Sequence, residues 1–371
     1  MVLEDLQYVL ALQRVEGVGD IVAKKLINHC GSAKEVFRSK PQLLKSIDGV
    51  GDILIKNLKE ASVHQKAEQE LKFIQDEKIS FCYYQDENYP GRLKHCIDGP
   101  ILIFTSGNID LNNRRIISIV GTRQITSYGT EFCKKLIEDL AVFNPIIVSG
   151  FAYGVDIVAH QAAMDNNLQT IGVLAHGLNQ IYPKTHKKYV AKMEQNGGFL
   201  TEFWSLSNPD KENFVRRNRI VAGISEATIV IESAEKGGSL ITANVANDYS
   251  RDVFAVPGRT TDKFSQGCND LIKTQRAQLM TSAADLIYNL NWQLEINTKS
   301  HYDKSIQKQL FVSLDFEEQK IYDYLQKNGK QLLDIIALEC DFPIFKISSI
   351  LLNMELKGVI RPLPGKLFEA I

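Results

Sequence analysis

The stretch Ile119-Val-Gly-Thr-Arg123 restricts the fold of this chain more than any other. An apolar strand runs directly into a glycine turn, an arginine and Ser127-Tyr-Gly129, where an amphipathic helix begins. In that helix Phe132, Leu136, Leu140 and Phe143 share one face at helical spacing. A strand–turn–helix unit of this kind presents backbone N–H groups and a favourable dipole at a helix N-terminus, and glycine lets a phosphate come close to the backbone. Arg123 adds a planar, permanently charged fork suited to phosphate oxygens. The turn has neither the G-x-G-x-x-G spacing of a dinucleotide site nor the G-K-[ST] ending of a P-loop. It therefore predicts a phosphate-binding α/β protein outside the common dehydrogenases and NTPases.

The rhythm continues downstream. Short Val/Ile-rich strands are expected at 116–120, 146–149, 170–175, 199–201, 228–232 and 252–256, with helical stretches between them. That alternation predicts a parallel sheet covered on both faces. Further strands are expected at 79–84 and 101–104. The organisation reads as a helical domain over 1–66, the α/β domain over 67–290, a polar linker over 291–314 and a winged helix over 315–371.

Within the first domain, Val15-Glu-Gly-Val-Gly-Asp20 and Ile47-Asp-Gly-Val-Gly-Asp52 are near copies, each opening a helix. They resemble the hairpin of a helix-hairpin-helix motif. Either their amides face a DNA phosphate or they are compact turns that bind nothing; both readings stay open. In the winged helix, the last helix carries only Lys346 before Lys357, which favours a protein-contact or regulatory role over sequence reading.

A formal net charge of −1 means that any polyanion site must come from local clustering of Lys and Arg. The six cysteines are scattered without metal-ligand spacing, so no zinc site is expected. Neither a signal peptide nor a membrane span is expected, and the predicted location is cytoplasmic.

Candidate chemistry lies in the loops after the strands. Asp156 and His160 stand one helical turn apart; a helix-capping Asp with a core His is preferred over an acid/base pair. Lys184, His186, Lys187 and Lys188 read as a basic rim or a solvated face. The strongest cluster is Lys211, Phe214, Arg216, Arg217 and Arg219, an aromatic among cations, as single-stranded nucleic acid requires. The competing reading has Phe214 in the core and the arginines paired with Glu202, Glu212 or Glu226. Lys236-Gly237-Gly238-Ser239 opens a further helix as a second anion site, and Val256–Arg259 and Gln266–Ile272 complete the set.

Taken in order, these blocks resemble the DNA-processing protein A family (DprA, also called Smf). The matching residues are Ile119–Arg123, Ser149–Asp156 with His160, Tyr182-Pro183, Phe214–Ile220, Gly237–Ala243, Arg251–Gly258 and Gly267–Ile272. The resemblance implies an extended Rossmann domain without a nucleotide cofactor. It also implies a non-catalytic homodimer that binds and protects single-stranded DNA and loads the RecA recombinase during natural transformation. The positions matching the family's DNA pocket are Gly121, Thr122, Arg123, Lys211, Phe214, Arg217 and the loop Lys236–Ser239; Arg219 joins them from the basic cluster. Thr201-Glu202 replaces the usual Ser-Glu, and Thr274–Ala277 replaces a Gly-Ala. An alternative is an enzyme like the nucleoside-monophosphate phosphoribohydrolases, with Glu232 as the nearby acid.

Overall fold

The computed structural model describes residues 3–111, 115–293, 314–363 and 367–371. Its centre is a nine-stranded sheet: β1 (Ser80–Tyr83), β2 (Leu102–Asn108), β3 (Ile116–Val120), β4 (Ile146–Ser149), β5 (Thr170–Val173), β6 (Gly197–Thr201), β7 (Ala227–Val230), β8 (Asp252–Ala255) and β9 (Gln278–Leu279). The spatial order is β1-β2-β6-β5-β4-β3-β7-β8-β9. From β6 to β9 all pairs are parallel; β1 and β2 add an antiparallel edge. The chain steps outward from β3 through β4 and β5, then returns to the other side of β3 with β7 and β8. That reversal makes the carboxyl ends of β3 and its neighbours the place where α/β proteins bind ligands.

Strands β3, β4, β5 and β7 are buried along their whole length, which is why they read as continuous apolar runs. Ser118 is the polar exception in β3, and it is satisfied: its hydroxyl donates to the Val221 carbonyl at 2.5 Å and lies 2.6 Å from Ser225 Oγ. Strand β9, two exposed residues, was not among the expected strands.

The expected boundary at 66/67 falls inside one helix, Ala61–Asp76, and residues 1–295 form a single compact unit. Polar contacts join the N-terminal helices to the sheet body. Glu70 accepts from Ser205 N at 2.8 Å and Ser205 Oγ at 2.6 Å. Trp204 Nε1 donates to Gln13 Oε1 at 2.9 Å, and the Arg14 guanidinium lies 3.9 Å from the Trp204 ring centroid. The far end of this unit also runs past 290: Trp292 is buried, 5.8 Å from Phe143, and donates to Glu226. Residues 294–313 of the expected linker lie outside the described residues.

The second unit is Ile296–Ile371. Helices Phe316–Asn328, Leu333–Glu339 and Ile344–Leu356 pack on a three-stranded sheet closed by the hairpin Ile360–Leu363 and Leu367–Ala370. Ile321, Leu325, Ile336, Ile347, Leu351 and Met354 form its core. A reciprocal cap between Asp315 and Glu318 starts its first helix. Among the described residues no helix is long and apolar enough to cross a membrane.

Candidate nucleic-acid interface

The loop after β3 is held by its neighbours. Thr122 N donates to the Glu232 carbonyl at 2.7 Å, and Val155 N donates to the Thr122 carbonyl at 3.1 Å. A Cβ on Gly121 would strike the Val155 side chain and come within 2.9 Å of the Glu232 carbonyl. Gly154, at φ +76°, presses against the Thr122–Arg123 backbone. The missing side chain of Gly121 thus makes room for the protein itself.

Thr126 caps the helix that follows, Ser127–Leu140, accepting from Gly129 N at 3.1 Å. The buried carboxylate of Glu232 accepts from Thr126 N at 2.8 Å and from the Thr126 hydroxyl. Gly129 is required there because a Cβ would lie 2.6 Å from the Glu232 carboxyl carbon. A carboxylate already occupies the positive end of this helix and offsets its dipole there. The same packing encloses the acid that the hydrolase alternative would need.

Positive charge and aromatic surface meet around Phe214, on the helix Lys211–Ile224. Arg123 is exposed, with its guanidinium 5.2 Å from the half-buried Phe214 ring. Arg217 lies 5.9 Å from the same ring, and Tyr182, itself 43% exposed, meets it edge-on at 5.9 Å. Arg217 is buried and donates to the Gly150 carbonyl at 2.7 Å and to the Val173 carbonyl. It braces the ends of β4 and β5. Burial lowers its pKa to about 10, against the attraction of Asp156, so it stays charged at neutral pH. Phe151, next in the loop, is fully buried with φ +59°, a left-handed conformation that costs a non-glycine residue roughly 1–3 kcal/mol.

Asp156 and His160 serve the same scaffold. Asp156 accepts from Ala152 N at 3.2 Å, and burial raises its pKa while Arg217 opposes the rise. His160 is fully buried, its Nδ1 2.7 Å from Thr170 Oγ1; burial takes its pKa to about 3 and leaves the ring neutral. His186 is also buried, beside the Phe151 carbonyl at 3.1 Å, and so drops out of the basic rim.

The helix's other arginines have different fates. Arg219 was grouped with the DNA contacts, and the structure corrects this. It pairs with Asp20 at 2.8 Å and Glu202 at 2.5 Å, and also donates to the Asp98 carbonyl. Burial works against its charge, yet the two carboxylates prevail and raise its pKa. Arg216 joins the same carboxylates, at 3.1 Å to Asp20 and 2.6 Å to Glu202. For these two the competing ion-pair reading describes the structure, with Asp20 as a partner that sequence reasoning missed. Lys211 and Lys236 are exposed. Ser239 is buried, donating to Ser233 Oγ at 2.9 Å, whereas Gly238 is exposed at the start of the helix Gly238–Asp248. The loop therefore presents Lys236 and Gly238, while Gly237 and Ser239 hold its shape: Gly237 N donates to the Ala234 carbonyl at 3.0 Å.

In the flanking modules several of the candidate groups are engaged within the protein. Asp20, at the end of the first glycine hairpin, accepts from Ile101 N at 3.0 Å and holds Arg216 and Arg219. That hairpin is a clamp inside the unit. The second carries Asp48 and Asp52, paired with Lys25 at 2.7 Å and Lys45 at 2.5 Å. In the winged helix, Lys346 pairs with Glu317 and Lys357 with Glu318.

Comparison with known proteins agrees with this architecture. Residues 80–291 match the family of DNA recombination-mediator protein A, and residues 312–366 match the DprA winged helix domain. Protein Smf of Escherichia coli is 35% identical over 75% of this chain and 74% of its own. DNA processing protein DprA of Streptococcus pneumoniae is 39% identical over 54% of this chain and 71% of its own. The X-ray structure of the S. pneumoniae protein has a TM-score of 0.64 at 30% identity, covering 76% of this chain and 97% of that one. A structure of DNA processing protein A from Helicobacter pylori, solved for its single-stranded DNA binding mode, has a TM-score of 0.52 at 30% identity, covering 58% and 96%. With more than half of its length matched to the family and its fold shared with solved members, this chain belongs to the DNA recombination-mediator protein A family, DprA/Smf.

Proposed function

We propose that this protein binds single-stranded DNA across the carboxyl ends of β3, β4, β5 and β7, without a catalytic step, and acts in DNA processing. The observation that carries the reading is Phe214, half-buried at the strand ends with the guanidinium groups of Arg123 and Arg217 within 6 Å of its ring. A base stacks on such a ring whatever its sequence, while exposed Arg123 holds a phosphate. Thr122, Lys211, Lys236 and Gly238 extend the surface. In this reading Arg217, Gly121, Gly237 and Ser239 act by shaping it. The family relationship extends the proposal to a homodimer that protects incoming single strands and passes them to RecA.

The test is fluorescence anisotropy of a labelled oligonucleotide over a salt series. Wild type is expected to prefer the single strand to the duplex. Arg123→Ala should reduce the slope of log K against log salt by about 0.7, one phosphate contact on a single strand. Phe214→Ala should weaken binding roughly 5- to 150-fold, the stacking contribution of one base, with the slope unchanged. Duplex preference, or full affinity in Phe214→Ala, would refute the assignment.

A further inference from the structure

We propose a second nucleotide subsite, in the cavity between the start of the helix Ser127–Leu140 and the loop after β8. The proposal rests on the reading of the Phe214 site and extends it along the strand. The cavity has a volume of about 1040 Å³, at the top of the range of small-ligand sites (~300–1,000 Å³). Tyr128, Arg259, Lys263 and Phe264 line it.

Its chemistry repeats the mixture at Phe214. Arg259 and Lys263 are exposed and form no ion pair among the described residues. Lys263 lies 5.5 Å from the Phe264 ring centroid. Tyr128 is 51% exposed, and its hydroxyl donates to the Pro257 carbonyl at 3.1 Å, which holds the ring in place. Of the two carboxylates in the lining, Glu232 is turned onto Thr126, so only exposed Asp262 opposes the cations. The loop is preorganised: Gly258 exchanges two hydrogen bonds with the Asn269 side chain, at 3.2 and 3.0 Å. Ser233 N donates to the Phe264 carbonyl at 2.7 Å, tying the loop to the segment that leads to Lys236. Strands β3, β7 and β8 are consecutive in the sheet, so the ends of β3 and β8 lie ~10 Å apart. A strand held at Arg123 can therefore continue past Lys236 into the cavity, with a phosphate on Arg259 and Lys263 and a base on Tyr128.

The experiment measures anisotropy of oligothymidylates from about 4 to about 16 nucleotides, the span of known single-strand sites. Full-length wild type, Tyr128→Ala, Tyr128→Phe and the double variant Arg259→Ala/Lys263→Ala are compared, with thermal melting as the check on folding. Affinity in wild type should rise with length. Tyr128→Ala should lose roughly 5- to 150-fold on the long oligomers and nothing on the shortest. Tyr128→Phe, which keeps the ring but loses its hydrogen bond to the Pro257 carbonyl, should retain most of the affinity that Tyr128→Ala loses. The double variant should lower the salt slope by about 1.4 on long oligomers only. Equal losses at every length, or none, overturn the subsite while leaving the Phe214 site intact. Failure of wild type to bind any oligomer brings down both.

Discussion

Replacement of Arg219 by alanine separates the two roles that arginines play on the helix Lys211–Ile224. The Arg219 side chain is 11% exposed, between an Asp20 side chain at 6% and a Glu202 side chain at 1%. Its removal leaves two buried carboxylates sharing Arg216, which is 51% exposed and sits where solvent weakens its field. Breaking a buried ion pair by removing one partner costs about 3–5 kcal/mol, chiefly because a charge is left uncompensated. Arg216 stays within reach of both carboxylates, so the lower end, about 3 kcal/mol, is expected. At about 2–4 °C per kcal/mol, the melting temperature should fall by roughly 6–12 °C. Single-strand affinity, measured well below the transition, should stay within about twofold of wild type, since both Arg219 terminal nitrogens are held inside the protein and the unpaired Nε is buried. Adding Glu202→Gln to Arg219→Ala should recover part of the loss, because the second change removes the stranded charge. Burial already raises the Glu202 pKa against the pull of Arg219 and Arg216, so the neutral form is the easier one to leave behind. An Arg219→Ala protein that melts like wild type and loses as much DNA affinity as Arg123→Ala would refute this account.

Two further outcomes follow from the packing. Burial depresses the His160 pKa to about 3, so its contribution to stability is complete above the unfolded value near 6.5 and is lost as pH falls from there toward 3; His176 and His186 are shifted in the same direction. At about 1.4 kcal/mol per pH unit, His160 alone removes roughly 2 kcal/mol by pH 5, and urea denaturation of His160→Gln against wild type should show a shallower pH dependence. Gly150→Ala would place a Cβ 2.5 Å from the Arg217 guanidinium, itself held by two carbonyls, and should cost roughly 1–3 kcal/mol and reduce DNA affinity, whereas Gly238→Ala meets nothing within 4 Å and should melt like wild type.

What could be read in the sequence follows from how each feature is encoded. The central strands were legible because a strand buried on both faces is a continuous apolar run, as in Ile116–Val120 and Ile146–Ser149. The join between the N-terminal helices and the sheet was not, because its apolar core is shared with the sheet and its polar ties are Gln13, Asp20 and Glu70, residues that in sequence look like solvated surface. The arginine cluster shows the limit most directly. Successive residues on a helix turn by about 100°, so Arg216 and Arg219 share a face while Arg217 points away from them, and periodicity identifies that division without saying what each side chain meets. The answer comes from distant parts of the chain. Carbonyls at the ends of β4 and β5 hold Arg217, while a carboxylate nearly 200 residues away, Asp20, takes Arg216 and Arg219. Asp20 itself was visible only as the residue after a glycine hairpin, where a DNA contact was the competing explanation. Its carboxylate, beside the hairpin amides, repels a phosphate and attracts a guanidinium, and the fold brings two guanidiniums to it. The proposed single-strand surface is left to the basic and aromatic groups that no internal carboxylate claims: Arg123 and Phe214 at the centre, with Lys211 and Lys236 beyond them.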